Sequence, residues 1–312
     1  MEPATEALWL GFGAVVTVLL VLDLTVFSRR THAPTIREAA LWSGSLVGVA
    51  LLFGAVVMAV RGVRTGLEYY TGYLIELSLS VDNLLVFLMI FEYFAVPGSQ
   101  RPRVLKWGIF GAMFLRGVMI LAGALLLERF AWIIYVFGAL LIVTGWKMWV
   151  DTEIRIEPDK NPLVRLARYF LPVSDTYDGQ HFFTRGAGRR LAATPLLVVL
   201  LVIDWCDVVF AIDSIPAIFA VTRDPFIVFS SNVFAVLGLR ELFFVLAGAV
   251  DRFRYLKPAV ALILVFVGLK MLLSHWLHVP IGLSLGIVVG TFACAIGLSL
   301  ARERRATDSP SA

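Results

Sequence analysis

Long apolar runs separated by short polar stretches dominate the sequence. Each run is about 20 residues long, which is the length an α-helix needs to cross the hydrocarbon core of a bilayer. In lipid such a run must be helical, because no water is present to satisfy its backbone groups. The pattern predicts an all-α polytopic membrane protein with about nine transmembrane helices, at about residues 8–27, 39–60, 70–94, 105–127, 130–150, 195–220, 226–250, 255–273 and 279–300.

The remaining segments complete the predicted organisation. Residues 1–60 hold two N-terminal helices, and the first run is too long and too acidic at its start to be a cleaved signal peptide. The longest polar stretch, 151–194, is rich in proline, glycine and charge, and predicts a cytoplasmic linker with a short amphipathic helix at about 163–170. The tail, 301–312, is predicted to be disordered.

The basic residues predict the orientation of the chain. Of the 27 Lys and Arg residues, 19 fall on the side of the membrane that carries the linker and the C-terminus, and four fall on the side of the N-terminus. Cytoplasmic loops of membrane proteins carry the excess of positive charge. We therefore expect the N-terminus outside and the C-terminus in the cytoplasm.

The composition narrows the class of protein. The chain is 59% hydrophobic with a mean hydropathy of +0.86, whereas soluble domains are about 45–50% apolar. Its two cysteines lie 88 residues apart in apolar runs and form no CxxC motif. The sequence contains no GxxxxGK[ST] motif and no sizeable soluble domain, which disfavours an ATP-driven pump. We expect no enzymatic activity, no cofactor and no nucleic-acid partner.

Acidic residues occur inside two of the predicted spans. The segment ELSLSVDNLLVF carries Glu76 and Asp82, and the segment DWCDVVFAIDSIPAIF carries Asp204, Asp207 and Asp213. A charged side chain at the bilayer centre costs at least ~2.5–3.5 kcal/mol, so such residues persist where they line a polar cavity, pair with a cation or relay protons. The pattern predicts a protein that binds or moves a cation.

The charged residues also indicate an internal repeat. Residues 70–150 and 195–273 each hold three predicted spans, and an odd number of spans makes the second copy inverted in the membrane. Inverted repeats are typical of secondary transporters, with the binding site near the midplane between the copies. The matched residues are Glu76 and Asp207, Asp82 and Asp213, Asn83 and Ser214, Arg116 and Arg240, and Lys147 and Lys270.

The candidate ligands all offer hard oxygen donor atoms. Oxygen-only sites suit Mg²⁺, Ca²⁺ and Mn²⁺ better than Zn²⁺ or Cu⁺. Several carboxylates crowded in a low dielectric cannot all stay ionised, so either a metal neutralises them or some hold protons, which is the physical basis for metal–proton exchange. The predicted metal ligands are Glu76, Asp82, Asn83, Asp204, Asp207 and Asp213.

Helical geometry restricts how these ligands meet. Residues six apart point about 120° away from one another, so one straight helix cannot present both its carboxylates to one ion. Either facing helices share the ligands, or a break in the second acidic helix at Pro216 frees the Ile212 carbonyl beside Asp213.

Other polar residues in the spans have structural as well as functional interpretations. Lys147 and Lys270 lie about one turn from span ends and fit snorkelling to the interface as well as ion pairing. The deeper arginines are expected to pair with intramembrane carboxylates, as locks or as gates. Glu92 and Glu241 are interpreted as near-interface residues. The candidate gating or ion-pair residues are Asp23, Arg116, Lys147, Asn232, Arg240 and Lys270.

Three strings resemble the TerC family of integral membrane proteins: ELSLSVDNLLVF, DVVFAIDSIPAIFAVTRDPFIVFSSNVFAVLGLRELFF and VFVGLKML. The resemblance is strongest over about residues 72–272. It implies a bacterial inner-membrane protein of the LysE-type transporter superfamily, with manganese efflux as its activity and tellurium resistance as an older label. It also implies that the five central acids form the metal site. The family more often has Glu at the position of Asp204 and Thr at that of Cys206.

Together these features predict a secondary transporter that exports Mn²⁺, with Ca²⁺ as a poorer substrate, in exchange for protons. A membrane scaffold, assembly factor or tellurium-resistance factor with a structural polar network is the main alternative. An intramembrane aspartyl protease is disfavoured because neither Asp82 nor Asp213 lies in a GxGD or YD motif. An anionic or amino-acid substrate is disfavoured because central acids outnumber central bases.

Overall fold

The computed structural model describes residues 3–23, 25, 35–130, 132–150, 169, 172–174, 176–185, 191–247, 255–273, 276 and 279–307. Within these ranges the chain forms ten α-helices and two short strands. In chain order they are α1 (Pro3–Leu22), α2 (Ile36–Arg61), α3 (Val63–Tyr93), α4 (Arg101–Arg129), α5 (Ile133–Val150), β1 (Phe183–Arg185), β2 (Leu191–Ala193), α6 (Pro195–Phe219), α7 (Pro225–Leu237), α8 (Leu239–Ala247), α9 (Leu256–Leu272) and α10 (Ile281–Thr307).

The helices confirm the predicted class, an all-α polytopic membrane protein. Seven described helices are long and apolar enough to cross a membrane, and the bent pair α7–α8 would make eight. A shorter apolar helix occupies Pro258–Leu272. The predicted total of nine spans stays a prediction.

Helix α6 runs unbroken through Pro216 to Phe219, so a break at that proline, one of the two ways in which the acidic ligands could meet, is excluded. The predicted seventh span is divided instead: α7 and α8 meet at Gly238 with an angle of 41° between them. Helix packing around Pro216 holds the backbone helical, since Pro216 is itself buried.

Local sequence accounts for several helix ends. Thr35 and Glu38 form a reciprocal capping box at the start of α2. The Asp224 side chain accepts a hydrogen bond of 2.9 Å from the Phe226 N–H at the start of α7. Gly62 alone separates α2 from α3 and has φ of 92°, a conformation that favours glycine. These two helices therefore form a tight hairpin.

The two acid-bearing helices, α3 and α6, pack together in the centre of the bundle. Leu84 and Phe91 of α3 share a hydrophobic cluster with Leu196 and Ile203, which begin α6, so the helices run antiparallel. Around this pair, α4 packs against α6 and α7 packs against α3. An inverted repeat would produce this exchange of neighbours, although the repeat itself stays a prediction.

Helices α5 and α9 meet through glycines. A Cβ on Gly268 would lie 2.7 Å from the Gly138 carbonyl oxygen, and a Cβ on Gly138 would lie 3.0 Å from the Gly268 carbonyl oxygen. Gly145 approaches the Ala261 carbonyl in the same way, at 2.7 Å. Small residues are the usual means by which membrane helices bring their backbones together.

Substituting Gly268 by alanine is expected to destabilise the protein by about 1–3 kcal/mol, because the new methyl group meets backbone that cannot move away. The matched control is Gly290→Ala on α10, where a Cβ has open space around it and alanine is the better helix former. Thermal unfolding of both purified variants in detergent would measure the difference. Equal melting temperatures would contradict the close approach of α5 and α9.

The linker and the tail differ in part from their predicted forms. The predicted amphipathic helix at 163–170 lies outside the described residues, apart from Tyr169. Further on, β1 and β2 pair as an antiparallel hairpin, and the Tyr177 hydroxyl donates a hydrogen bond of 2.7 Å to the Phe94 carbonyl. Burial raises the pKa of Tyr177. Helix α10 continues to Thr307, so residues 301–307 of the predicted disordered tail are helical, as their alanine, arginine and glutamate content favours.

Candidate cation site

Three charged side chains meet where α3, α4 and α6 pack together. Arg116 of α4 donates from Nε to Asp207 Oδ2 at 2.9 Å and from Nη2 to Asp207 Oδ1 at 2.7 Å. Its third nitrogen, Nη1, donates to Glu76 Oε1. The exposed fractions of these side chains are 1% for Arg116, 0% for Glu76 and 1% for Asp207. We call this group the central bridge.

The central bridge is stable only as a unit. Charges cannot be buried without partners, and a guanidinium forms two parallel hydrogen bonds with one carboxylate in a planar fork. One cation faces two carboxylates, so with both acids ionised the group carries a net charge of −1. The bridge therefore holds negative charge that a further cation or a proton would neutralise.

Several buried polar atoms on α3, α6 and α7 have no hydrogen-bond partner. Glu76 Oε2, Ser80 Oγ and Asn83 Nδ2 are buried without a hydrogen-bond partner, and they follow one face of α3 at intervals of four and three residues. Ser214 Oγ on α6 and Asn232 Nδ2 on α7 are in the same condition. Buried polar groups in native proteins nearly always have partners, so this group calls for a ligand such as water or an ion.

The register of α3 and α6 shows which residues of the two helices lie opposite each other. A Cβ on Gly72 of α3 would lie 3.3 Å from the Ile218 side chain of α6. Counted from that contact along antiparallel helices, Glu76 lies opposite Ser214 and ~10 Å along the axis from the level of Asp207. The Arg116 guanidinium therefore occupies the space between the two carboxylates.

Two of the other predicted acidic ligands, Asp204 and Asp213, do not join the bridge. Asp213 points to α5, where it accepts a hydrogen bond of 2.9 Å from the Thr144 hydroxyl. Asp204 faces α4, and a Cβ on Gly111 would lie 2.8 Å from Asp204 Oδ1, an atom buried without a partner. The side chain of Asp82 lies outside the described part of the structure.

A single site made of all six predicted ligands is therefore not assembled in this structure. Among the described side chains, no three His, Cys, Asp or Glu residues are placed around one metal position. Helical rotation explains why: Asp213 lies about 120° around α6 from Asp207 and so faces α5. The predicted ligand Asn83 is buried on the same face of α3 as Glu76.

A second charge cluster lies at the end of α1. Arg240 donates from Nε and Nη2 to Glu241 Oε1 at 3.1 and 2.8 Å, and from Nη1 to Asp23 Oδ2 at 3.0 Å. Glu241 is buried in the bundle, and its interpretation as a near-interface residue stays a prediction.

The two lysines have different surroundings. Lys147 is exposed and is a cationic neighbour of Asp213. Lys270 is half-buried and donates a hydrogen bond of 3.1 Å to Ser284 Oγ on α10. Exposure of Lys147 agrees with snorkelling but does not test its role.

A cavity of about 520 Å³ opens between the start of α3 and the end of α9. Glu68 and Lys270 line it. Glu68 accepts hydrogen bonds from Arg64 Nε at 3.2 Å and from the Thr222 hydroxyl at 2.8 Å. Glu68 is not among the predicted site residues, because the predicted third span starts at residue 70 whereas α3 begins at Val63.

The comparisons with known proteins agree with this architecture. Residues 61–307 match the integral membrane protein TerC family. The chain belongs to the TerC family. It is 50% identical over 305 residues to "Uncharacterized membrane protein STKORF319" of Myxococcus xanthus, with 98% of this chain and 95% of that protein covered.

Two further relatives extend the TerC comparison. The chain is 49% identical over 295 residues to "Putative membrane-bound redox modulator Alx" of Escherichia coli (strain K12), with 92% of each chain covered. It is 38% identical over 295 residues to an uncharacterized membrane protein of Rickettsia bellii, with 95% and 97% covered. No solved structure matches the chain.

Proposed function

We propose that this TerC-family protein is a secondary transporter that exports Mn²⁺, and Ca²⁺ less well, in exchange for protons. One observation carries the proposal: two buried carboxylates on facing helices are held apart by an arginine, among polar atoms that have no partner. Such an arrangement offers a cation several oxygen ligands. It also contains a guanidinium whose positive charge the cation can replace.

The central bridge suggests how exchange works. Arg116 neutralises part of the charge on Glu76 and Asp207 while no ion is present. An arriving divalent cation would replace the guanidinium at one or both carboxylates. When the ion leaves, the acids regain Arg116 or take up protons, because they cannot remain ionised and unpaired in a low dielectric.

The choice of ion rests on ligand chemistry and on the family resemblance. Carboxylate, hydroxyl and amide oxygens suit Mn²⁺, Ca²⁺ and Mg²⁺. Glu76, Asp207 and Ser214 supply the first two kinds of oxygen. Manganese in particular is what resemblance to the TerC family implies. We further propose the bacterial inner membrane, with the N-terminus outside, from the 19-to-four distribution of basic residues.

A flux experiment tests the proposal. Proteoliposomes with an acidic lumen are expected to accumulate Mn²⁺ from the medium, and an ionophore that removes the pH gradient should abolish most of the accumulation. Ca²⁺ and Mg²⁺ are run in parallel. If well-folded protein moves none of the three ions, a structural role for the polar network is favoured instead.

The name of the Escherichia coli relative raises the alternative of thiol chemistry. The same flux assay separates that alternative from transport. Both cysteines of this chain, Cys206 and Cys294, are free thiols in the structure. We expect the double variant Cys206→Ser/Cys294→Ser to keep gradient-driven Mn²⁺ flux within about twofold of the natural chain, since neither sulfur is a hard-oxygen ligand. Loss of flux in the folded variant would contradict a purely carboxylate mechanism.

A further inference from the structure

Arg240 separates two cavities at the end of the bundle where α1 finishes and α4 begins. The first cavity, of about 40 Å³, is lined by Asp23, Lys106 and Glu241 among others. The second, of about 10 Å³, reaches Asp207 and is lined by Ala112 of α4. Arg240 and Ile109 line both cavities. These two side chains are therefore the partition between them.

Ionic contacts hold Arg240 in this position. Its buried partner is Glu241, which accepts hydrogen bonds from two nitrogens of Arg240. The Glu241 side chain is 7% exposed. Its outer contact is Asp23, which is 28% exposed and follows directly after α1. The Asp23 contact is thus the more accessible of the two, and it joins the end of α1 to α8.

The backbone beside Arg240 is suited to movement. Gly238 lies two residues earlier, at the 41° bend between α7 and α8. A short helix joined to its neighbour by a bend can change angle with little change in its own hydrogen bonds, as hinge segments do. Movement of α8 would carry both Arg240 and Glu241, leaving their pairing intact.

We propose that Arg240, held by Asp23 and Glu241, is the gate between the α1 end of the bundle and Asp207. When Asp23 releases the guanidinium, the two cavities join and a hydrated cation gains a path to the central bridge. A cation attracted to the first cavity competes for Asp23 and so promotes its own entry. The identity of that cation rests on the proposed function, whereas the gate itself does not.

Thiol accessibility tests the gate without any transport assay. Ala112→Cys is introduced into the Cys206→Ser/Cys294→Ser chain, because Ala112 is buried and lines the second cavity. The rate of modification by a small, charged methanethiosulfonate reagent is measured by mass spectrometry in reconstituted protein. With Arg240 in place the introduced thiol should react slowly. Adding Arg240→Ala should raise the rate at least about tenfold, as expected when a closed state loses its main restraint.

A gentler variant and a control complete the test. Asp23→Asn removes the negative charge of the outer contact and leaves Arg240 paired with Glu241, so it should fold and should also speed modification. Arg61→Ala breaks an ion pair of 2.5 Å to Asp224, at a residue that lines neither of the two cavities, and should leave the rate unchanged. Unchanged rates in both Arg240→Ala and Asp23→Asn, or in Asp23→Asn alone if Arg240→Ala does not fold, would overturn the gate. Fast modification in these variants, together with no Mn²⁺ flux in the natural chain, would overturn the proposed function and keep the gate.

Discussion

Replacing Arg116 by methionine is expected to destabilise the protein by roughly 3–5 kcal/mol, because removal of one partner leaves buried charge uncompensated. Methionine preserves much of the side-chain volume, so lost packing contributes little. Glu76 and Asp207 would face each other as a buried like-charge pair. Thermal unfolding in detergent and the monodisperse fraction after purification would measure the loss. The control is Arg64→Met, whose side chain is 87% exposed in its pair with Glu68, for which we expect ~1 kcal/mol or less.

A compensating variant shows whether unpaired charge is the cause. The triple change Glu76→Gln/Arg116→Met/Asp207→Asn removes all three charges from the central bridge. Replacing a whole buried ionic group is often neutral or stabilising, whereas breaking it is not. We therefore expect the triple variant to melt within a few degrees of the natural chain and above Arg116→Met. A triple variant as unstable as Arg116→Met would mean that the guanidinium matters for packing and not for charge.

Most of the fold could be predicted from the sequence, because a bilayer permits few backbone structures. Apolar length alone predicts spanning helices, and each predicted span overlaps a described helix or, for 226–250, the bent pair α7–α8. Intramembrane charges likewise identified Glu76, Asp207 and Arg116 as members of one polar interior, since each is too costly to leave facing lipid. These conclusions needed only the length of a run and the presence of a charge in it.

The direction of each side chain was not predictable in the same way. Helix α6 is apolar on most faces, so periodicity does not show that Asp207 turns to α4 while Asp213 turns to Thr144 on α5. Such directions depend on which helices pack together, and that is decided by non-local contacts such as the glycine approach of α5 and α9. Contacts between residues that are distant in the sequence can be read only from the three-dimensional structure.

Glycine and proline were also misleading as local signals. Pro216 marked a possible break in the second acidic helix, yet α6 stays helical through it. Gly238 sits in a longer apolar run and gave no warning, yet the chain bends there. A proline removes one hydrogen bond that packing can offset. The backbone of Gly238 is right-handed helical, with φ of −78° and ψ of −11°, so the bend there does not depend on the conformational freedom of glycine.

Asp207→Asn is expected to lower Mn²⁺ flux at least about 100-fold, since loss of even an outer-shell partner of a metal site costs 10–100-fold in affinity or activity. The amide keeps an oxygen that accepts from Arg116 but has no charge to offer an ion. The folded state should survive, because Glu76 and Arg116 then form a neutral pair. Asp178→Asn, an exposed aspartate of the linker that accepts from Thr184, is the matched control and should transport normally.

Binding can be measured apart from transport. At about 100 times its dissociation constant an ion stabilises the folded protein by ~2.7 kcal/mol, so Mn²⁺ should raise the melting temperature of the natural chain and of Asp178→Asn. Asp207→Asn should show no such rise. If Asp207→Asn lost flux but kept the Mn²⁺-dependent rise, Asp207 would serve the exchange of Arg116 for protons and not the binding of the ion. If it kept both, the central bridge would be structural, and the partnerless atoms around Glu76 would bind water and not the transported ion.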